Sequence, residues 1–282
     1  MKTLALFHYR ITGRATGVRP GSHRSRHAGD GQRFHHLAPF HTHPDPRRLD
    51  LRTSVIDPFE TWRVRLYEQR SALSVYALAD LSGSMDFRGI HPKMTVLADF
   101  IDGLAASVHR SGDALGILAA AEQICPEFCL PLSRQPAPAF RLAARLRRFR
   151  PHLTGCRGLA QASRLLPGRR CLVFLLSDFH WPLSQVREIL AGLSHHVVVP
   201  VVLWDEGEAL PGAPGVARLA DLEGGGHRLL LLRSALRARL VDNLRQRRER
   251  LVQLLRRIGR EPLFLDQGFQ SDRITRYFLG VS

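Results

Sequence analysis

A chain of 282 residues, 44% hydrophobic and 23% charged, has the apolar content of a folded globular protein, which excludes the disordered and fibrous classes. Its formal charge of +16 and pI near 11.2 point to an anionic partner, nucleic acid or protein, as far as charge alone can. Nearly all of that charge is arginine, with Lys2 and Lys93 the only lysines, a bias that a GC-rich genome also produces.

The opening MKTLALFHYR holds too short an apolar stretch for a signal-peptide core. No run approaches the ~18 apolar residues of a membrane helix, so the chain reads as cytoplasmic and without a transmembrane segment. Residues 1–70 are rich in Gly, Pro, His and Arg and show little periodicity before ETWRVRLYEQR at 60–70. They read as an irregular N-terminal segment packed on the main domain. His23, His27, His35, His36, His41 and His43 crowd it, but no spacing among them matches a metalloprotease helix or a zinc-finger pair, and they read as solvated loop histidines.

From residue 71 strands and helices alternate. SVYALAD (74–80) is apolar on both faces, as a central parallel strand is, and KMTVLADFIDGLAASVHR (93–110) has helical spacing. ALGILAAA then reads as a strand and EFCLPL (127–132), with its proline, as an edge strand. AFRLAARLRRF (139–149) and GLAQASRLL (158–166) are amphipathic helices, and RCLVFLLSD (170–178) is a second buried strand. PLSQVREILAGLSHH (182–196) reads as a helix, VVVPVVLWD (197–205) and HRLLLLR (227–233) as strands. These complete a main domain at 71–233, followed by a C-terminal basic helix (234–259) and tail to residue 282. Such alternation requires right-handed crossovers, hence an α/β doubly wound, mostly parallel sheet with helices on both faces. Cys125, Cys129, Cys156 and Cys171 form no CxxC pair and imply neither disulfide framework nor zinc site.

Ligands of such sheets bind beyond the carboxyl ends of the strands, where strand order reverses. Asp80 and Asp178 close the two most apolar strands. Asp80, Ser82 and Ser84 have the spacing D-x-S-x-S around Gly83, an oxygen-rich loop suited to a hard divalent cation. Without a cation, Asp80 reads as a loop cap and the serines as turn residues.

With SDF at 177–179, this spacing resembles the von Willebrand factor A-type domain and its metal-ion-dependent adhesion site. More specifically, the chain is similar to a bacterial family of unknown function associated with MoxR-type AAA+ ATPases. GSHRSRHAGDGQRF (21–34), PDPRRLDLRTS (44–54) and VRLYEQR (64–70) match that family's segment ahead of the A-type domain, and ADLSGSM and SDFHWP its two loops. Within the family, the likeness is greatest to members encoded in methanol-oxidation gene clusters. The resemblance implies a Rossmann-type fold in which Ser82 and Ser84 bind Mg²⁺ or Mn²⁺ through their hydroxyls. Asp80 and Asp178 would bind directly or through water. The family's threonine belongs two residues before Leu159, where this chain has Arg157; Thr154 stands in only if the loop is rearranged. A guanidinium aimed at the site would repel the cation or replace it.

The implied function is a noncatalytic module that binds a MoxR-type ATPase, and an acidic client protein through the metal, in maturation or metal insertion of an enzyme complex such as methanol dehydrogenase. Two other readings remain open. Arg245, Arg247, Arg248, Arg250, Arg256 and Arg257, interleaved with Leu251, Leu254 and Leu255, form a basic helix that nucleic acid or an acidic protein would suit, although no nucleic-acid motif accompanies it. A metal-assisted hydrolase needs a general base near Asp80, and no spacing supplies one; Asp205 and Glu206 read as loop residues, not a catalytic pair.

Overall fold

The computed structural model describes residues 5–10, 20–29, 33–209, 215–220, 227–232 and 234–280. The chain divides into two compact units, Ile11–Leu73 and Met1–Arg10 with Ser74–Ser282.

The smaller unit holds β1 (Pro20–Gly29), β2 (Arg33–Pro39), the short helix α1 (Leu51–Ile56) and β3 (Arg63–Ser71). The strands form an antiparallel sheet in the order β1-β3-β2, where the sequence suggested mainly irregular chain. In β3 the period of two is plain, with Val64 and Leu66 buried and Arg65 between them exposed, whereas in β2 a register shift between Phe34 and His36 breaks it. Val64 and Leu66 form a small core with Ala38, Phe40 and Leu49. Asp50 caps α1 by accepting the Thr53 N–H and also pairs with Arg65 at 2.8 Å.

The larger unit is built on β4 (Ser74–Asp80), α2 (Lys93–Ser111), β5 (Ala114–Ala120), β6 (Leu130–Ser133), α3 (Ala137–Leu146) and α4 (Arg157–Arg164). It continues with β7 (Leu172–Ser177), α5 (Leu183–Gly192), β8 (Val197–Val202), β9 (Gly215–Ala220) and β10 (His227–Leu232). Helix α6 (Ser234–Arg257), the two-residue β11 (Leu263–Phe264) and α7 (Ser271–Leu279) complete it. Six strands form one sheet in the order β11-β8-β7-β4-β5-β6, parallel throughout except for the antiparallel edge strand β6. The proline-containing segment thus lies at the edge, as its missing N–H requires.

β10 departs from the expected series, pairing antiparallel with β9 in a separate two-stranded sheet. The six residues between them suit a hairpin and are too few for a parallel crossover. Residues 260–280, expected as a tail, contribute β11 and α7.

Strand order reverses at β4: the chain passes from β4 to β5 on one side, then returns to β7 on the other. The carboxyl ends of β4 and β7 therefore flank the switch point. Both strands are buried along almost their whole length. One face of the sheet is covered by a core that includes Val173, Leu175, Ile189 and Leu193 with Leu251, Leu254 and Leu255 of α6. On α2, Phe100 meets Phe174 of β7 with ring centroids 5.3 Å apart, and Phe7 packs on Phe100 at 5.5 Å. Gly103 on α2 permits this packing, since a Cβ there would lie 2.6 Å from the Phe269 ring. All four cysteines are free thiols. Among the described residues, no helix is long and apolar enough to cross a membrane.

Candidate functional site

Parallel pairing of β4 with β7 brings their last residues side by side, so Asp80 and Ser177–Asp178 meet at the switch point. Asp80 is fully buried. One carboxylate oxygen accepts the Ser82 N–H at 2.8 Å; the other accepts the Ser177 hydroxyl at 2.7 Å and the Trp181 indole N–H at 3.1 Å. Burial, followed by the charge of Asp178, pushes the Asp80 carboxyl up to about 7. The Ser82 and Ser84 hydroxyls are buried and 3.2 Å apart. Ser82 opens a short 3₁₀ turn over Gly83–Asp86, and the Gly83 N–H donates to the Leu153 carbonyl at 2.7 Å. That bond brings the loop before α4 beside the serine loop.

Asp178 is equally buried but differently balanced. Burial would raise its carboxyl pKa, yet Lys93, aided by His180, holds it below the ordinary carboxylate value. The Lys93 ammonium is 2.7 Å from Asp178 Oδ2 and 3.1 Å from Glu208 Oε1, and donates to the Ser84 carbonyl at 3.3 Å. Burial lowers the Lys93 pKa, but Asp178 and Glu208 more than reverse this. Glu208 also bonds His180 Nε2 through Oε2 at 2.7 Å and accepts the Asp205 N–H through Oε1. His180 stacks on Trp204 with the rings 3° from parallel.

Backbone strain and buried ties hold these loops. Phe179, directly after Asp178, has φ +54, a left-handed conformation uncommon for a bulky residue. Its N–H donates to Ser177 Oγ, and its carbonyl, like that of Trp181, accepts from Arg247 on α6. Asp205 Oδ1 accepts the N–H groups of Ile90 and Gly207, and its Oδ2 that of His91, joining the loop ahead of Lys93 to the end of β8.

The expected residues are placed unevenly. Asp80, Ser82, Ser84 and Asp178 converge. Thr154 is exposed on the neighbouring loop, one residue after the Leu153 carbonyl that binds Gly83. Arg157 is not aimed at the site: its side chain is 77% exposed and pairs with Glu122 at 3.3 Å, because the residue opens α4 on its solvent side. The basic group inside the site is Lys93, which sequence reasoning passed over. Its signal was compositional, one of two lysines among 41 basic residues. Glu208 carried no comparable signal. Asp205 is the loop tie that its position suggested; the Glu206 side chain lies outside the described residues.

These residues do not fit a resident divalent ion. Both Asp80 oxygens already have donors, Asp178 is held by an ammonium, and a second cation beside Lys93 would meet a full positive charge in a buried pocket. Among the described residues, no group of three or more His, Cys, Asp or Glu side chains is arranged to hold a metal ion. His35 and His36 contact each other, His41 and His43 are exposed, and the His23 and His27 side chains lie outside the described set. On α6, Arg245 pairs with Glu249, Arg248 with Asp266 and Arg256 with Glu261, so part of its basic face is neutralised within the chain.

A family model described as "Protein of unknown function DUF58" matches residues 45–250. A Paracoccus denitrificans protein named "Uncharacterized protein in moxR 3'region" is 35% identical over 99 residues, which cover 35% of this chain and 94% of that protein. Two solved structures cover 74% of this chain and 98% of their own. They are an aerotolerance-related membrane protein from Bacteroides fragilis NCTC 9343, at 15% identity and a TM-score of 0.46, and the conserved hypothetical protein BatB from Bacteroides thetaiotaomicron, at 14% and 0.42. At those scores neither adds to the sheet order described above.

Proposed function

The chain belongs to the DUF58 family, and on that footing we propose that it is a noncatalytic protein-binding module working with a MoxR-type AAA+ ATPase. The name of the Paracoccus relative, which refers to the moxR 3' region, supports that partner. A von Willebrand factor A-like reading of the sheet fits the D-x-S-x-S loop at the end of β4 and the second aspartate after β7. The noncatalytic reading draws support from the burial of Asp80, Asp178 and Lys93, each already held by partners within the chain.

The observation that carries the proposal is the exposed rim of the loops tied to these residues. Ile90 is 61% and Leu153 39% exposed, and in the same two loops Arg88 and Arg150 share Asp86 while remaining at least half exposed. Apolar side chains set among arginines suit an acidic protein surface. The client would be an enzyme complex undergoing maturation or metal insertion, methanol dehydrogenase being the one that the resemblance names. The setting would be the cytoplasm, where the ATPase finds its nucleotide. An interface bridged by Mg²⁺ or Mn²⁺ would require the ion to displace Lys93 from Asp178, so direct docking of the rim is the form proposed.

Binding of the purified chain to a MoxR-type ATPase from the same gene cluster tests this. Arg88→Glu with Arg150→Glu is expected to weaken capture at least about tenfold, as reversed rim charges confront an acidic partner. Unchanged capture by a folded double variant would rule out this surface.

A further inference from the structure

The cation that the oxygen-rich loop calls for is already present in the chain. Lys93 is 2% exposed, and lysine is almost never so buried unless paired. It is also the first residue of α2, where the helix dipole disfavours positive charge, and no acidic residue shares that first turn. Two local rules are broken at one position. The compensation comes from Asp178 at 2.7 Å, Glu208 at 3.1 Å and the Ser84 carbonyl at 3.3 Å, three acceptors for the three ammonium donors. They come from the serine loop, the second aspartate loop and the loop after β8, which together surround the switch point.

We propose that the Lys93 ammonium takes the place of a divalent ion, making the strand-end site independent of metal, with Glu208 as the acid that closes over it. Glu208 is 12% exposed, the most accessible member of the Lys93, Asp178 and Glu208 cluster, and its second oxygen is held by His180. In this arrangement it supplies from within the chain the carboxylate that a partner would bring to a metal. A compact ammonium suits three acceptors that converge on one point, whereas a guanidinium spreads its five donors over a wider planar fork. That accounts for a lysine here in a chain whose basic residues are otherwise almost all arginine. The inference rests on reading these loops as the binding site, but its test involves no ATPase, so either can fail without the other.

The test titrates Mn²⁺ and Mg²⁺ into the metal-stripped full chain by calorimetry and follows melting temperature, for the wild type and Lys93→Ser. The wild type is expected to show no binding heat at millimolar metal and no change in melting temperature. Lys93→Ser, which removes the ammonium and adds an oxygen, is expected to bind Mn²⁺ at least about tenfold more tightly than the wild type and to melt higher when it does. A wild-type melting temperature that climbs with either metal overturns the proposal. So does a folded Lys93→Ser with no gain in affinity. Should that variant fail to fold, the wild-type melts decide alone, since a metal-dependent rise refutes the proposal and a flat response upholds it.

Discussion

Asp80 and Asp178 are the same residue type at the ends of neighbouring strands, both fully buried, yet their acidities move apart. The difference lies in what each faces. Asp178 has an ammonium at 2.7 Å, while Asp80 has a hydroxyl, an indole and a backbone N–H, dipoles that stabilise charge less than a cation does. The consequences for stability have opposite signs. Asp80, raised to about 7, favours the folded state when protonated, so its contribution declines as pH climbs from the ordinary carboxylate value through 7. Asp178, held low by Lys93, stabilises above the ordinary carboxylate pKa and ceases to as pH falls through its own. The urea midpoint should therefore peak near the ordinary carboxylate value, about pH 4, and decline from there to about pH 8. Asp80→Asn should lose that decline; an equally steep fall in the variant would show that other groups cause it.

Among the secondary-structure elements, the site depends on loops brought to the strand ends with little room between them. Gly89 lies so near the Asp205 carboxylate that a Cβ would come 1.9 Å from Oδ1. Neither partner can yield easily, because Asp205 is buried and accepts the N–H groups of Ile90, His91 and Gly207. Gly89→Ala should therefore cost about 1–3 kcal/mol, the range for overpacking a tight contact. Lys93, four residues on, should lose its alignment with Asp178 in the same variant. Thermal melting reads the first effect, and amide exchange at the start of α2 reads the second. A variant that melts like the wild type would mean that the loop has room to move.

The larger unit takes residues from both ends of the chain. Phe7 is 3% exposed, contacts the rings of Phe100, Phe174 and Phe269, and its N–H donates to Ser107 on α2. Tyr9 donates its hydroxyl to buried Asp113, and burial together with that carboxylate raises the phenol pKa. These residues are separated from the rest of their unit in sequence by the whole of the smaller one. Phe7→Ala should accordingly cost about 3–5 kcal/mol, as for a buried aromatic, despite its place in the first ten residues. Urea denaturation checks this; a loss below about 1 kcal/mol would mean that the segment contributes little to the core.

Local pattern was enough to specify the central strands, the helices between them, the edge position of the proline-bearing strand and the meeting of Asp80 with Asp178. Each follows from periodicity or from the rule that parallel strands align their carboxyl ends. Less legible were β1 and β2 of the smaller unit, where register shifts break the period of two, and the hairpin β9–β10. Which charge enters the site was settled by contacts between distant parts of the chain. Arg157 occupies the expected threonine position, but its place at the start of α4 turns it to solvent. Lys93 meets Asp178 across 85 residues of sequence and Glu208 across 115. Periodicity reports how an element faces its own core, whereas an ion pair between loops depends on how several elements end together.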